Sequence, residues 1–220
     1  KSLIFLKKNK IESLISTGGY MSLPLCLTAK ILGIKIYLFE PNMVLGRANS
    51  IFLRYTKKIF CYSKEIINFP KKHLNKILLT DPLLRKEFYA ITPDEKSEIK
   101  DQINLLVIGG SQGAELFDNK LNKSIISLSK RYKLNIYQQT SSINKKNLEN
   151  FYNQNNISYR LFNFEENILN FISKANLCIT RAGASTLSEL TFLNIPYLAI
   201  PYPLAKDDHQ FQNALFYKNK

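Results

Sequence analysis

Three times in this chain a short apolar run ends in a glycine-bearing turn that opens directly into a helix-patterned segment. Ser13 to Thr17 ends at Gly18-Gly19-Tyr20, Leu105 to Ile108 ends at Gly109-Gly110-Ser111-Gln112-Gly113, and Leu177-Cys178-Ile179 leads to Arg181-Ala182-Gly183. A strand that passes through a tight turn into a helix can pair with the next strand only after a crossover, which makes the pairing parallel. The fold class is therefore α/β, with parallel sheets covered by helices on both faces and ligands expected beyond the strand C-termini.

The alternation runs along most of the chain. Ile34 to Phe39 reads as a strand by its β-branched and aromatic content, Lys58 to Tyr62 and Lys76 to Thr80 repeat the pattern, and Pro24 sits in the first turn of an apolar helix that closes at Gly33. Asp81-Pro82 breaks the run, and Ala90 to Asp101 is polar, charged and interrupted by Pro93. Beyond it, Leu105 to Ile108, Leu134 to Gln138, Tyr159 to Phe164, Leu177 to Thr180 and Ile195 to Ile200 read as strands. Leu116 to Arg131 reads as one helix on the spacing of Leu121, Ile125 and Leu128. The expected organisation is a first lobe over 1–80, a linker over 81–103 and a second lobe over 104–220.

Charge is distributed unevenly. Residues 1–80 carry 14 Lys and Arg against three acids, a net of +11, whereas residues 81–220 net only +3. A basic face for anionic lipid and a compositional bias toward Lys, Asn and Ile both account for the excess, and no aromatic-interleaved basic motif points to nucleic acid. Cys26, Cys61 and Cys178 each stand among apolar neighbours without metal-ligand or redox spacing, as buried thiols of a reducing compartment do. The most apolar region, Leu23 to Phe39, is interrupted by Lys30 and Lys35 and does not make a span of roughly 20 apolar residues. The chain starts at Lys1 without an initiator Met or a leader pattern, so it is expected to be an internal fragment of a soluble protein.

The turns at Gly109 to Gly113 and at Gly183 are suited to phosphate: glycine allows close backbone approach, and amides at a helix start favour an anion. The first is neither a dinucleotide fingerprint nor a P-loop, since Ile108 stands at the first glycine position and no Gly-Lys-Ser/Thr follows. Two such loops in one sheet suggest a diphosphate. Glu189, six residues after Gly183, could accept from a vicinal diol or stand as a solvated helix-face acid. Asp207-Asp208-His209-Gln210 supplies polar groups with the cap of a helix, and Gln210 and Asn213 share one helix face. In the first lobe Glu40, Asn42 and Asn49 collect beyond a strand end, where Asn49 could equally cap a helix. His73, among lysines, reads as a surface residue.

Taken jointly, these motifs resemble those of the MurG family, the bacterial N-acetylglucosaminyltransferases of peptidoglycan synthesis. They are Gly18-Gly19-Tyr20, Glu40-Pro41-Asn42 with Gly46 to Asn49, Gly109 to Ala114, Arg181 to Thr186 with Glu189, and Asp207 to Gln210 with Asn213. The resemblance implies a GT-B glycosyltransferase with two Rossmann-like parallel-sheet lobes facing across a cleft, the first lobe incomplete. It implies inverting transfer of GlcNAc from UDP-GlcNAc to lipid I, forming lipid II. The donor would meet Ser111, Ser185 and Thr186 at its diphosphate, Glu189 at its ribose, and Arg85 and the main chain at Glu165 around its base. Ala184, Gln210 and Asn42 would meet its sugar, and Leu187 and Ser188 would complete the donor set. Tyr20, Glu40 and Asn49 would border the acceptor. No cofactor, no metal and no nucleic acid are implied, and the partners are the two substrates and the anionic inner face of the cytoplasmic membrane, on which the family docks peripherally.

The sequence also departs from the family pattern. The N-terminal glycine-rich loop with its His, a favoured general base, is absent, as are the closing C-terminal helices, so the fragment alone is expected to be inactive. Glu115 stands where a basic residue is common, Asp118 where Asn is common, and Asp81 to Arg85 is an altered linker motif. A different UDP-sugar-using GT-B enzyme, a UDP-GlcNAc 2-epimerase and a non-catalytic UDP-sugar-binding scaffold are the alternatives.

Overall fold

The computed structural model describes residues 1–91, 99, 101–109 and 114–218. The chain forms two compact units, one of Lys1–Leu83 with Leu204–Lys220 and the other of Leu84–Pro203. The last segment, read from the sequence as part of the second lobe, thus packs within the first unit.

In the first unit, helix α1 (Ser2–Lys8) precedes β1 (Ser13–Ser16), α2 (Ser22–Ile31), β2 (Lys35–Glu40), α3 (Arg47–Phe52), β3 (Lys58–Cys61) and β4 (Ile77–Leu79). The strands pair in parallel in the order β1-β2-β3-β4. Period-2 alternation in β2 buries Ile36, Leu38 and Glu40, and the first two join Cys26, Ala29, Ile59 and Cys61 in one core. Glu40 ends the same series, so a carboxylate is delivered to the buried side of the strand's C-terminal end. Gly33, at φ 69°, takes the left-handed position just beyond α2 that glycine adopts without strain. Lys76 Nζ donates to the carbonyls of Leu53, Arg54 and Thr56, which fixes the turn that follows α3. Helix α1 adds to the sequence-derived elements, the first of which starts at Ser13.

In the second unit, β5 (Gln102–Ile108), α4 (Ala114–Lys120), α5 (Asn122–Ser129), β6 (Lys133–Gln139) and α6 (Lys145–Gln154) are followed by β7 (Ser158–Phe162), α7 (Leu169–Ile172), β8 (Leu177–Thr180), α8 (Ala184–Phe192) and β9 (Tyr197–Ala199). All pairings are parallel, in the order β7-β6-β5-β8-β9. Central strand β5 is buried on both faces: Leu106 and Ile108 join the core that holds Cys178 and Leu190, while Leu105 and Val107 join the core that holds Ile136 and Tyr152. That explains why β5 reads as a continuous apolar run rather than an alternating one. The single helix expected over Leu116 to Arg131 is two, with a break at Leu121, where Asp118, Asn119 and Asn122 place three poor helix formers within five residues. Helix α9 (His209–Lys218) closes the described chain, in the first unit.

Candidate functional site

Strand order in the second unit reverses at β5, whose neighbours β6 and β8 are reached by crossovers in opposite directions. Such a switch point leaves a crevice at the strand C-termini. Ile108 and Thr180 are register partners there, so the chain leaves β5 at Gly109 beside the point where it leaves β8 at Arg181. Both glycine turns found in the sequence therefore start at this crevice, although Gly110, Ser111, Gln112 and Gly113 lie outside the described residues.

Helix α8 starts with Gly183 as its N-cap, and its first bond runs from Leu187 N to Gly183 O at 3.0 Å. The amides of Ala184, Ser185 and Thr186 precede that bond and have no intrahelical partner. No side-chain cap occupies the helix start. Ser185 is exposed and Thr186 half-buried beside these amides, whereas Leu187 is fully buried. Ser188 turns its hydroxyl back onto the carbonyls of Ala184 and Ser185, at 2.7 and 3.0 Å. Leu187 and Ser188 can thus serve a ligand here only through main chain.

One turn further, Glu189 is buried and bound side-on by Arg85, with Nε to Oε1 at 2.8 Å and Nη2 to Oε2 at 2.9 Å. Planar two-point pairing of this kind is the strong form of the interaction. The Arg85 guanidinium also lies over the ring of buried Phe88, 5.0 Å from its centroid. Arg85 and Glu189, to which the family resemblance gives different parts of a ligand, are here brought together as a pair. Glu165 is half-buried in the loop beyond β7 and accepts from Asn167 N at 3.2 Å. Arg181, which leads the motif, points inward: Nη1 donates to the carbonyls of Ile200 and Pro201, and the guanidinium lies between the rings of Phe117 and Tyr202. It ties the ends of β8 and β9 together.

In the first unit a cavity of about 440 Å³ opens beyond the strand ends, lined by the Gly18-Gly19-Tyr20 turn and by Glu40, Asn42, Gly46, Arg47, Asn49, Asp207 and His209. Gly18 and Gly19 both hold positive φ, 83° and 80°, the conformations that side-chain-bearing residues avoid. Glu40 accepts four bonds: from the amide and Nδ2 of Asn42 on Oε1, and from Gly46 N at 2.8 Å and Asn49 Nδ2 at 2.9 Å on Oε2. That fills the roughly four lone-pair positions of a carboxylate. Asn49 also donates to Phe39 O, so it is neither a helix cap nor idle, and its Oδ1 is left buried with no hydrogen-bond partner among the described residues. A Cβ added at Gly18 would lie 3.4 Å from that oxygen. Tyr20 is 75% exposed at the mouth.

Buried Asn213 binds the C-terminal segment to this cavity, accepting from Met43 N at 2.9 Å and donating to Asn42 Oδ1 at 3.0 Å. Gln210 is half-buried on α9 in the same unit. Among the sequence-derived candidates, then, Tyr20, Glu40, Asn42 and Asn49 are brought to one cavity. Arg85, Ala184, Ser185, Thr186 and Glu189 are gathered on and around α8. The Arg47–Asp207 ion pair and the buried network at Asp118 carry no local sequence signal, since their partners lie 160 and 20 or more positions apart in the chain.

The cysteines are free and buried. Burial, with the Glu40 carboxylate adding to it, pushes the Cys61 thiol up to about 12. It is an inert core group beneath the cavity.

Residues 1–61 match the N-terminal domain of glycosyltransferase family 28, and residues 104–220 match its C-terminal domain. A relative from Pelagibacter ubique, named UDP-N-acetylglucosamine--N-acetylmuramyl-(pentapeptide) pyrophosphoryl-undecaprenol N-acetylglucosamine transferase, is 60% identical over 99% of this chain and 60% of its own length. A Rickettsia canadensis relative of the same name is 34% identical over 97% of this chain and 61% of its own. The chain thus spans about 60% of the length of the curated relatives it matches. Among solved structures, Acinetobacter baumannii MurG superposes with a TM-score of 0.75 at 27% identity, covering 98% of this chain and 60% of that one. The Methanocaldococcus jannaschii UDP-GlcNAc 2-epimerase, at 14% identity and a TM-score of 0.61, shares the fold, and covers 100% of this chain and 72% of that one. With a domain match across more than half its residues, the chain belongs to glycosyltransferase family 28.

Proposed function

We propose that this chain is the greater part of an inverting N-acetylglucosaminyltransferase that moves GlcNAc from UDP-GlcNAc to lipid I, giving lipid II for peptidoglycan. The observation that carries the reading is the 60% identity, maintained along 99% of the chain, to a relative whose name states that transfer. In this reaction an acceptor hydroxyl attacks the anomeric carbon, the bond to the UDP oxygen breaks, and the hydroxyl proton passes to a base. Charge grows on the departing diphosphate. Donors fixed beforehand toward that charge lower the barrier more than they tighten substrate binding. The amides of Ala184 to Thr186 at the start of α8, with the hydroxyls of Ser185 and Thr186, suit that role, and the family resemblance adds Ser111, which lies outside the described residues. Glu189 accepts from the ribose diol, the main chain at Glu165 meets the base, and Ala184 meets the sugar. Tyr20 and Asn49 border the acceptor. Glu40, its lone pairs filled from within the protein, holds Asn42, Gly46 and Asn49 in place there and does not take the proton.

Transfer of labelled GlcNAc from UDP-GlcNAc to a lipid I analogue, by the protein that contains this chain, tests the reading. Binding of UDP-GlcNAc without transfer would leave a scaffold, and release of UDP and ManNAc without acceptor would point to an epimerase.

The same reading includes peripheral docking on the anionic inner face of the cytoplasmic membrane. Its support is local: Leu3, Ile4 and Phe5 of α1 and Leu27 and Ile31 of α2 are exposed apolar side chains on two packed helices, with Lys7, Lys8 and Lys30 on the same elements. Apolar insertion beside lysines is the pattern of an interfacial anchor. No described helix is long and apolar enough to cross a membrane. Co-sedimentation with vesicles containing anionic lipid, lost with salt and with Ile4→Asp, checks this arm.

A further inference from the structure

Two residues that line the cavity of the first unit, Arg47 and Asp207, fall within the family motifs but carry none of the roles the resemblance assigns. Arg47, the first residue of α3, lines the cavity and pairs side-on with Asp207, which lines it from the other side: Nε to Oδ2 and Nη2 to Oδ1 are both 3.1 Å. The pair is exposed, with 67% of the arginine side chain and 36% of the aspartate side chain accessible. Ion pairs this wet contribute little to stability, so the guanidinium can exchange partners at small cost. Asp207 is held in an uncommon conformation: it and Asp208 follow one another at φ 56° and 54°, in the left-handed region that non-glycine residues rarely occupy. Arg47 is the one guanidinium facing the cavity among the described residues, with the His209 imidazole also on its lining. The second lining carboxylate, Glu40, is saturated by its four donors. Beside the pair, Asn49 Oδ1 is buried without a partner among the described residues, which a hydroxyl or amide N–H of an occupant would supply.

We propose that Arg47 is an anion-binding residue for the acceptor, and that Asp207 holds it in reserve until the acceptor arrives. This rests on the reading of the cavity as the acceptor side of a glycosyltransferase. The acceptor chemistry that fits is an organic diphosphate or a carboxylate next to a sugar that carries hydroxyl and amide donors. On binding, the anion takes over the two-point contact from Asp207, and the sugar or its amide satisfies Asn49 Oδ1. Guanidinium is the suited cation, since its planar fork serves a carboxylate and a diphosphate alike.

The pair makes two substitutions act in opposite directions. With the protein containing this chain, equilibrium binding of a soluble short-prenyl diphosphoryl-MurNAc-pentapeptide analogue is measured for wild type, Arg47→Ala, Asp207→Asn and the double variant, with UDP-GlcNAc binding measured in parallel. Arg47→Ala should weaken analogue binding about tenfold or more, and Asp207→Asn should tighten it a few-fold by freeing the guanidinium. The double variant should match Arg47→Ala, and UDP-GlcNAc affinity should stay constant throughout. An analogue without the peptide separates the sources of charge: an effect of Arg47→Ala that persists assigns the contact to the diphosphate, and one that vanishes assigns it to a peptide carboxylate. Equal weakening by Arg47→Ala and Asp207→Asn would make the pair a structural brace and overturn the proposal, as would an Arg47→Ala variant that binds like wild type. If wild type binds UDP-GlcNAc but not the analogue, the acceptor reading itself falls and this proposal with it.

Discussion

Asp118→Asn exchanges one oxygen for one NH2 at nearly constant shape, yet it should destabilise the second unit, because a buried network depends on that group being an acceptor only. Asp118 is 2% exposed and receives three bonds from neutral donors: Gln138 Nε2 at 2.9 Å on Oδ1, and Thr140 Oγ1 at 2.9 Å and Asn144 Nδ2 at 3.0 Å on Oδ2. Since the carboxylate cannot donate, Gln138 must turn its NH2 toward it, which aims Gln138 Oε1 at the hydroxyl of fully buried Tyr152. The introduced asparagine can keep the Thr140 and Asn144 bonds with its own oxygen, but its NH2 then faces the NH2 of Gln138. If Gln138 flips to relieve this, the Tyr152 hydroxyl must accept instead and its proton is left buried without an acceptor. Either outcome leaves one buried donor unsatisfied, and turning the introduced NH2 the other way obliges Thr140 to give its proton to Ser141 O, at 3.3 Å, and Asn144 to flip its amide, so a loss of about 1–3 kcal/mol is expected. Urea-dependent hydrogen exchange in peptides from β6 and α6 reads that loss without assuming that both units unfold together. Adding Gln138→Glu to Asp118→Asn tests the cause. The new carboxylate can accept from the introduced amide on one side and from the Tyr152 hydroxyl on the other, so the double variant should recover most of the loss. Gln138→Glu alone, which sets two buried carboxylates face to face, should be less stable than Asp118→Asn alone or the double variant. Losses that simply add in the double variant would refute the polarity argument.

The two sites invite simpler tests. Glu189→Ala should weaken UDP binding by about 1–3 kcal/mol, read by calorimetry, since a buried acceptor is removed; unchanged affinity takes Glu189 out of the donor site. Arg85→Lys should weaken it by less than Glu189→Ala, because an ammonium keeps the charge but not the two-point geometry. Gly46→Ala puts a Cβ 3.0 Å from Glu40 Oε2, so the four-bond cradle must shift, and a lowered melting temperature worth about 1–3 kcal/mol is expected. With its thiol pushed up to about 12, Cys61 stays neutral at about pH 8, and labelling there should be slow in the native protein and fast in urea; prompt native labelling would contradict its burial.

The strands of the described residues lie within a few residues of their sequence-derived positions, and the reason is physical: in parallel sheets the burial signal is concentrated in short runs such as Leu105 to Ile108, bounded by glycine turns. Helix α1 escapes that logic. Its Ser-Leu-Ile-Phe-Leu stretch buries only Leu6 and exposes Leu3, Ile4 and Phe5, so its composition follows a surface rather than a core. The candidate sites are legible where one loop gathers its own polar groups, as at Ala184 to Glu189 or Glu40 to Asn49. They are not legible where partners are distant in sequence: Arg85 reaches Glu189 across 104 positions, Arg47 reaches Asp207 across 160, and Met43 reaches Asn213 across 170. No local pattern encodes those pairings. Asp118 shows the other limit, because an acid at a helix-patterned position is visible in sequence while its donors Gln138, Thr140 and Asn144 are not.

Three carboxylates are buried in the described chain, Glu40, Asp118 and Glu189, and acceptor capacity separates their roles. A carboxylate offers roughly four lone-pair positions. Glu40 accepts four bonds and Asp118 three, all from neutral groups of the protein, so Glu40 has no position left and Asp118 at most one. Neither can accept from both hydroxyls of a ligand without giving up a structural bond. Glu189 accepts two, both from one guanidinium that also compensates its charge. It alone is buried, charge-balanced and half-satisfied, the state in which two further hydroxyl donors can be accepted while Arg85 stays bound. A vicinal diol is such a pair of donors. In a complex with UDP, therefore, Arg85 should remain on Glu189 and the ribose hydroxyls should occupy the other lone pairs. A structure in which the nucleotide displaces Arg85 would mean that the pair closes the site rather than preparing it.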